Sequence, residues 1–131
     1  MRVLKLSTAV VLIMAVLFTA CKGKTDKDMI VNKWHLTDVK GDGIKDMSDA
    51  EKKEMTDKLI MELTKDGKCI VSGMGEKPQS GTYTLSEDGK TLNLLRDDEK
   101  TAEPQKIDEL SSGKLVITDD KSKMTLSFKA N

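Results

Sequence analysis

The chain has 131 residues, with 22 basic and 22 acidic side chains, one histidine and only 3% aromatic residues. That length sets a single domain. The balanced charge, without a basic patch or interleaved aromatic and basic residues, excludes the electrostatic footprint of a nucleic-acid-binding protein.

The first 20 residues read as an export signal. Arg2 and Lys5 make a basic start, an apolar run from Ala9 to Phe18 follows, and Thr19-Ala20 supplies small residues before Cys21. The run is shorter than the roughly 20 residues a helix needs to cross a bilayer, so a permanent transmembrane helix is not expected. Phe18-Thr19-Ala20-Cys21 resembles the lipobox of bacterial lipoproteins, although the family prefers leucine where Phe18 stands. The resemblance implies cleavage before Cys21, thioether lipidation of its sulfur and acylation of the new amine. One acyl chain holds a protein only marginally and a second makes the attachment stable, at about 0.8 kcal/mol per buried CH₂. Lys22 rather than aspartate after the cysteine implies, by the same resemblance, the outer membrane. The expected location is therefore the cell envelope, with the membrane as a partner through the lipid.

Without the signal the chain carries 20 basic and 22 acidic side chains, and only Trp34, Tyr83 and Phe128 as aromatics. Its core must be aliphatic and small. Lys22 to Asp28 are polar without apolar periodicity, which predicts a flexible lipidated tether over 21–29 and a folded domain over 30–131.

Within that domain, strand-like segments are predicted near 30–39, 58–65, 68–73, 81–86, 91–96, 104–110, 114–118 and 123–129. Tyr83 and Leu85 oppose Thr82 and Thr84, Leu92 and Leu94 oppose Thr91 and Asn93, and Met124, Leu126 and Phe128 oppose Lys123, Thr125 and Ser127. Such period-2 patterning marks strands with one apolar and one wetted face. One helix interrupts the series: Ser48-Asp49-Ala50-Glu51 fits a capping box, and Asp49 with Lys53 and Glu54 with Lys58 have the i, i+4 spacing of helical ion pairs. Met47, Ala50, Met55 and Leu59 fall roughly on one side of it.

The turns set the organisation. Lys65-Asp66-Gly67-Lys68, Glu87-Asp88-Gly89-Lys90 and Ser111-Ser112-Gly113-Lys114 each precede a new apolar run, and their glycines recur at intervals of 22 and 24 residues. That interval is two strands plus two connections, so in an up-and-down sheet the three tight turns share one end. The other end receives the 40–57 insertion and the connections containing Met74, Asp97-Asp98-Glu99 and Asp119-Asp120. The tether then enters beside the tight turns and the longer loops point away from the membrane, where scaffold-held loops usually carry binding.

Cys69, flanked by Ile70 and Val71, is expected to pack in a strand as a small hydrophobe, the alternative being a reactive thiol. His35 as the only histidine leaves no His-based metal cluster or Ser-His-Asp triad, and no spacing singles out a pair among Asp, Glu and Lys. The acidic runs lack the ligand spacing of a calcium loop. The chain is read as non-enzymatic, with no cofactor and no metal.

Eight short antiparallel strands can close into a barrel that holds either packed side chains or one small ligand. Val31-Asn32-Lys33-Trp34-His35-Leu36 resembles the Gly-x-Trp opening of lipocalins and of lipocalin-like domains in bacterial lipoproteins, with Asn32 where the glycine sits. Leu63 to Lys68, Gly81 to Leu85 and Asp88 to Leu92 resemble later strands of that group, and the likeness covers residues 30 to 129. It implies a small up-and-down β-barrel. Trp34 then either floors a ligand cavity or plugs the closed end as core. With Trp34, Met47, Met55, Met74 and Tyr83 as candidate cavity residues, the first expected function is binding of a small apolar ligand. The second is a structural or inhibitory lipoprotein with a filled barrel, which engages an envelope protein and takes no ligand.

Overall fold

The structure is a computed structural model describing residues 25–131. The signal segment, Cys21 and the start of the tether lie outside the described residues. Eight antiparallel strands follow one another: β1 (Asn32–Gly41), β2 (Ile60–Leu63), β3 (Lys68–Ser72), β4 (Gln79–Leu85), β5 (Thr91–Arg96), β6 (Glu103–Leu110), β7 (Lys114–Asp119) and β8 (Met124–Ala130). Each pairs with the next, and β8 returns to β1, closing the barrel. The up-and-down β-barrel expected from the sequence is thus the fold.

Alternation puts Leu92 and Leu94, Leu115 and Ile117, and Leu126 and Phe128 inside, where they meet Trp34, Leu36, Met61 and Leu63. Two bulges adjust that alternation. The β1–β8 register shifts between Leu36 and Asp38, and the β6–β7 register shifts between Ile107 and Glu109. One extra residue in each strand moves the inward phase by one. Leu36 is therefore followed inward by Val39, and Ile107 by Leu110, at a spacing of three. The displaced Thr37 hydroxyl donates to the Ser127 carbonyl at 3.0 Å, and the Thr118 hydroxyl donates to Asp108 in the second bulge.

The three tight turns share one end, which also holds the start of β1 and the finish of β8. One feature of that end differs from the sequence expectation. Residues read as tether form a helix, α1 (Asp26–Ile30), with Thr25 as N-cap. Ile30, only 1% exposed, turns into the barrel, and its carbonyl accepts a hydrogen bond of 2.9 Å from the Trp34 indole nitrogen. The polar composition of 22–28 concealed this because one apolar residue, Ile30, does the docking. The folded unit therefore begins by Thr25.

The second helix, α2 (Asp49–Lys58), lies in the long β1–β2 connection. Ser48 and Glu51 form the full capping box, with Ser48 N–H donating to the Glu51 carboxylate at 2.7 Å. Those bonds hold the Glu51 carboxyl below its usual range. Glu54 pairs with Lys58 at 2.7 Å. No α2 residue is buried, and Met55 is its half-buried contact with the core.

Trp34 is 0% exposed, and its nitrogen has a single protein acceptor. Trp34→Phe keeps a ring but strands the Ile30 carbonyl, which is expected to cost about 1–3 kcal/mol. Urea unfolding followed by circular dichroism should show a lower midpoint with an unchanged slope.

Candidate functional site

The end opposite the tight turns holds a cavity of about 250 Å³ that runs into the barrel. Strand positions Met61, Val71, Leu94, Ile117, Leu126 and Phe128 form its wall, and Met55 and Leu59 of the α2 connection lean over it. Met74 from the β3–β4 loop and Ser122 from the β7–β8 loop complete the rim. Three of the connections at this end, those after β1, β3 and β7, therefore converge on one opening. Met74 is 54% exposed, the exposed large hydrophobic of the described surface. A thioether at such a rim adapts its shape to what it contacts.

Three polar side chains interrupt the apolar lining: Ser122 on the rim, Asp119 and Gln105. Asp119 sits at the mouth, where its carboxylate accepts from the Lys121 amide at 3.0 Å and from the Ser122 hydroxyl at 3.0 Å. Gln105 lies deeper on β6, opposite Leu92, and is 7% exposed. Its amide makes no hydrogen bond to another described residue and, not being sealed from solvent, faces the open cavity. No lysine or arginine lines the cavity among the described residues.

The structure separates the candidate residues chosen from the sequence. Met55 and Met74 are brought together at the opening. Met47 is half-buried against the core and does not line the cavity. Trp34 lies at the opposite end, where the bond to Ile30 makes it the barrel's plug. Tyr83 is also at that end, donating its hydroxyl to the Thr64 carbonyl at 2.5 Å, with burial pushing its pKa up. Strand direction explains both: Trp34 is near the start of β1 and Tyr83 near the finish of β4, which are tight-turn positions. Cys21 lies outside the described residues.

Sequence reasoning missed Met61, Met124 and Gln105. Met61 stood in the continuous apolar run Leu59-Ile60-Met61 and Met124 in an alternating strand, and both were indistinguishable there from core. Gln105 had a usable signal: it stands two residues before inward-facing Ile107, so period 2 puts an amide on an apolar face.

A larger space of about 480 Å³ lies at the tight-turn end between α1, the β2–β3 turn and β4. It is bordered by Lys27, Asp28, Ile30 and Lys65 and also by the candidate residue Tyr83, whose hydroxyl is already satisfied. The smaller cavity is the better candidate because it alone joins the barrel interior to an adaptable rim and an unpaired polar group. Among the described residues no three or more of His, Cys, Asp and Glu are grouped to hold a metal ion. No helix among them is long and apolar enough to cross a membrane.

No family matches this sequence, and no curated protein does. The fold is similar to the crystal structure of a DUF4847 family protein from Bacteroides vulgatus, at a TM-score of 0.56 and 12% identity. The alignment covers 81% of this chain and 96% of that one. At that identity the likeness establishes the barrel fold alone.

Cys69 is buried on β3, as its apolar neighbours implied, and burial pushes its thiol up to about 11. The native protein should therefore react slowly with a disulfide reagent at pH 8 and fast once unfolded. The fold prefers the protonated thiol, so this group lowers stability as pH rises from about 9 towards about 11. Denaturation profiles of wild type and Cys69→Ala should diverge in that window, with the wild type falling more steeply.

Proposed function

We propose that this protein is a non-enzymatic binding lipoprotein of the bacterial cell envelope, anchored through Cys21, whose barrel holds a small apolar ligand in the cavity at its long-loop end. The observation that carries the reading is that cavity: a half-enclosed apolar space of about 250 Å³, rimmed by methionines and reaching into the barrel. The anchor rests on the charged start, the short apolar run and Phe18-Thr19-Ala20-Cys21. The two halves of the proposal fit mechanically. α1 enters at the tight-turn end, so a lipid just ahead of Thr25 leaves the opposite opening directed away from the bilayer.

A second reading draws on the cavity's modest size. Ligand pockets usually span about 300–1,000 Å³, and Trp34, Leu92 and Leu115 fill the closed half completely. A filled barrel that presents Met74 and its neighbouring loops to an envelope protein accounts for the same rim.

Two measurements test these proposals. Cys21→Ser expressed in a lipoprotein-processing bacterium should leave the membrane fraction and lose acyl mass from its N-terminal peptide. Saturating apolar compounds at 100 times their dissociation constant should add about 2.7 kcal/mol of stability, read as a rise in Tm. A broad panel that produces no rise counts for the protein-binding reading.

A further inference from the structure

We propose that the cavity selects an uncharged, mostly apolar molecule with one hydroxyl or amide head, holds that head on Gln105, and rejects carboxylates. This rests on the ligand-binding reading and specifies its chemistry.

Gln105 is the first ground. One step beyond the Lys106–Thr118 pairing, the β6–β7 register sets it opposite Asp119, and both side chains line the cavity. Asp119 would be its natural partner, yet that carboxylate is turned to its own loop, bound by the Lys121 amide and the Ser122 hydroxyl. The Gln105 amide bonds to no described residue and is not sealed from solvent, so in the empty barrel it faces the open cavity. An amide both donates and accepts, so it suits a hydroxyl or another amide equally. A ligand offering neither would seal it away unpaired, and sites with buried polar groups discriminate most strongly against analogues that leave them unpaired.

Charge is the second ground. The cavity's one ionisable neighbour is Asp119, and no cation lines it among the described residues. A ligand carboxylate would lose its hydration inside the barrel, gain no counter-charge and face Asp119 at the mouth. Size is the third. A dry cavity of about 150 Å³ holds benzene, so 250 Å³ corresponds by proportion to about ten non-hydrogen atoms.

The test uses the full chain in lipid nanodiscs with methyl-labelled methionines, because Met55, Met61, Met74 and Met124 line the cavity and report binding there rather than in the lipid. The probes share one body: propylbenzene, 3-phenyl-1-propanol, 3-phenylpropanamide and 3-phenylpropanoate. The amide is expected to bind at least about tenfold tighter than the carboxylate at pH 7. Gln105→Leu should shift the ratio of alcohol to hydrocarbon affinity at least about tenfold towards the hydrocarbon. Gln105→Met, a second apolar replacement, should repeat that shift, and propylbenzene binding by either variant confirms an intact cavity. Equal binding of amide and carboxylate, or an unchanged ratio in both variants, overturns the inference while leaving a ligand-binding barrel. If no probe perturbs these methionines, the ligand-binding reading falls as well.

Discussion

Strand β1 pairs on both sides at once, with β2 through Asn32 to His35 and with β8 through Trp34 to Gly41. Every other property of the molecule follows from that double pairing. An eight-stranded sheet left open would present two rows of unpaired amides and carbonyls, the template on which strands aggregate. Closure removes both edges and defines an interior. The ten-residue length of β1 is what makes this possible, since its first part serves β2 and nearly its whole length serves β8. The bulge at Thr37 adds local twist within the β8 pairing, past the last pair with β2. Closure also sets a packing problem, because an eight-stranded interior is about wide enough for side chains and little else.

The two ends solve that problem differently. At the tight-turn end the chain enters through α1, and Ile30 and Trp34 fill the bore. The tryptophan is suited to this because it brings large apolar area together with one donor, and the carbonyl of a residue four positions earlier accepts from it. At the other end the connections and the strand ends beside them carry methionines and an aspartate in place of a plug. Gly73 shows how closely that rim is built: at φ +91 its α-carbon packs against the Lys58 carbonyl, in space a side chain would fill. At Gly75, two residues on at φ +122, a side chain would meet nothing within 4 Å. The loop is pinned to the end of α2 at one glycine and free at the next, with Met74 between them.

The strands and turns were legible in the sequence for a simple reason. Where one face of a strand meets water, period 2 appears in the residues themselves, as in Tyr83-Thr84-Leu85 and Met124-Thr125-Leu126. Glycines in a tight-turn context mark the connections: Gly67 and Gly89 adopt φ +89 and +71. The capping box at Ser48 and Glu51 was equally readable, being a local bond between residues three apart. Long-range consequences were not readable. The two bulges depend on strand registers that no local pattern encodes. The docking of α1 depends on one isoleucine finding one tryptophan. Among the candidate site residues, alternation shows which residues face in but not how far along the bore each one lies. Trp34 and Tyr83 were correctly inward yet at the wrong end for the opening, and Met61 and Met124 were inward at the right end but looked like core.

Gln105 carries the last step because it contradicts the rule that built the rest. An inward position in a small barrel is normally aliphatic, and the Gln105 amide, still reached by solvent in the empty cavity, costs about 1–3 kcal/mol once a guest covers it without bonding to it. A leucine would pack at that position at no such cost. The strand pattern therefore gives a stability reason for every inward residue of β6 except this one. A guest avoids that cost only by bonding to the amide, since the neighbouring carboxylate on β7 is committed to its own loop. A barrel selected only for a filled core would have an aliphatic residue opposite Leu92. One that must distinguish a polar-headed guest from a plain hydrocarbon needs a donor–acceptor group on the cavity wall that the guest covers on binding, and Gln105 stands there.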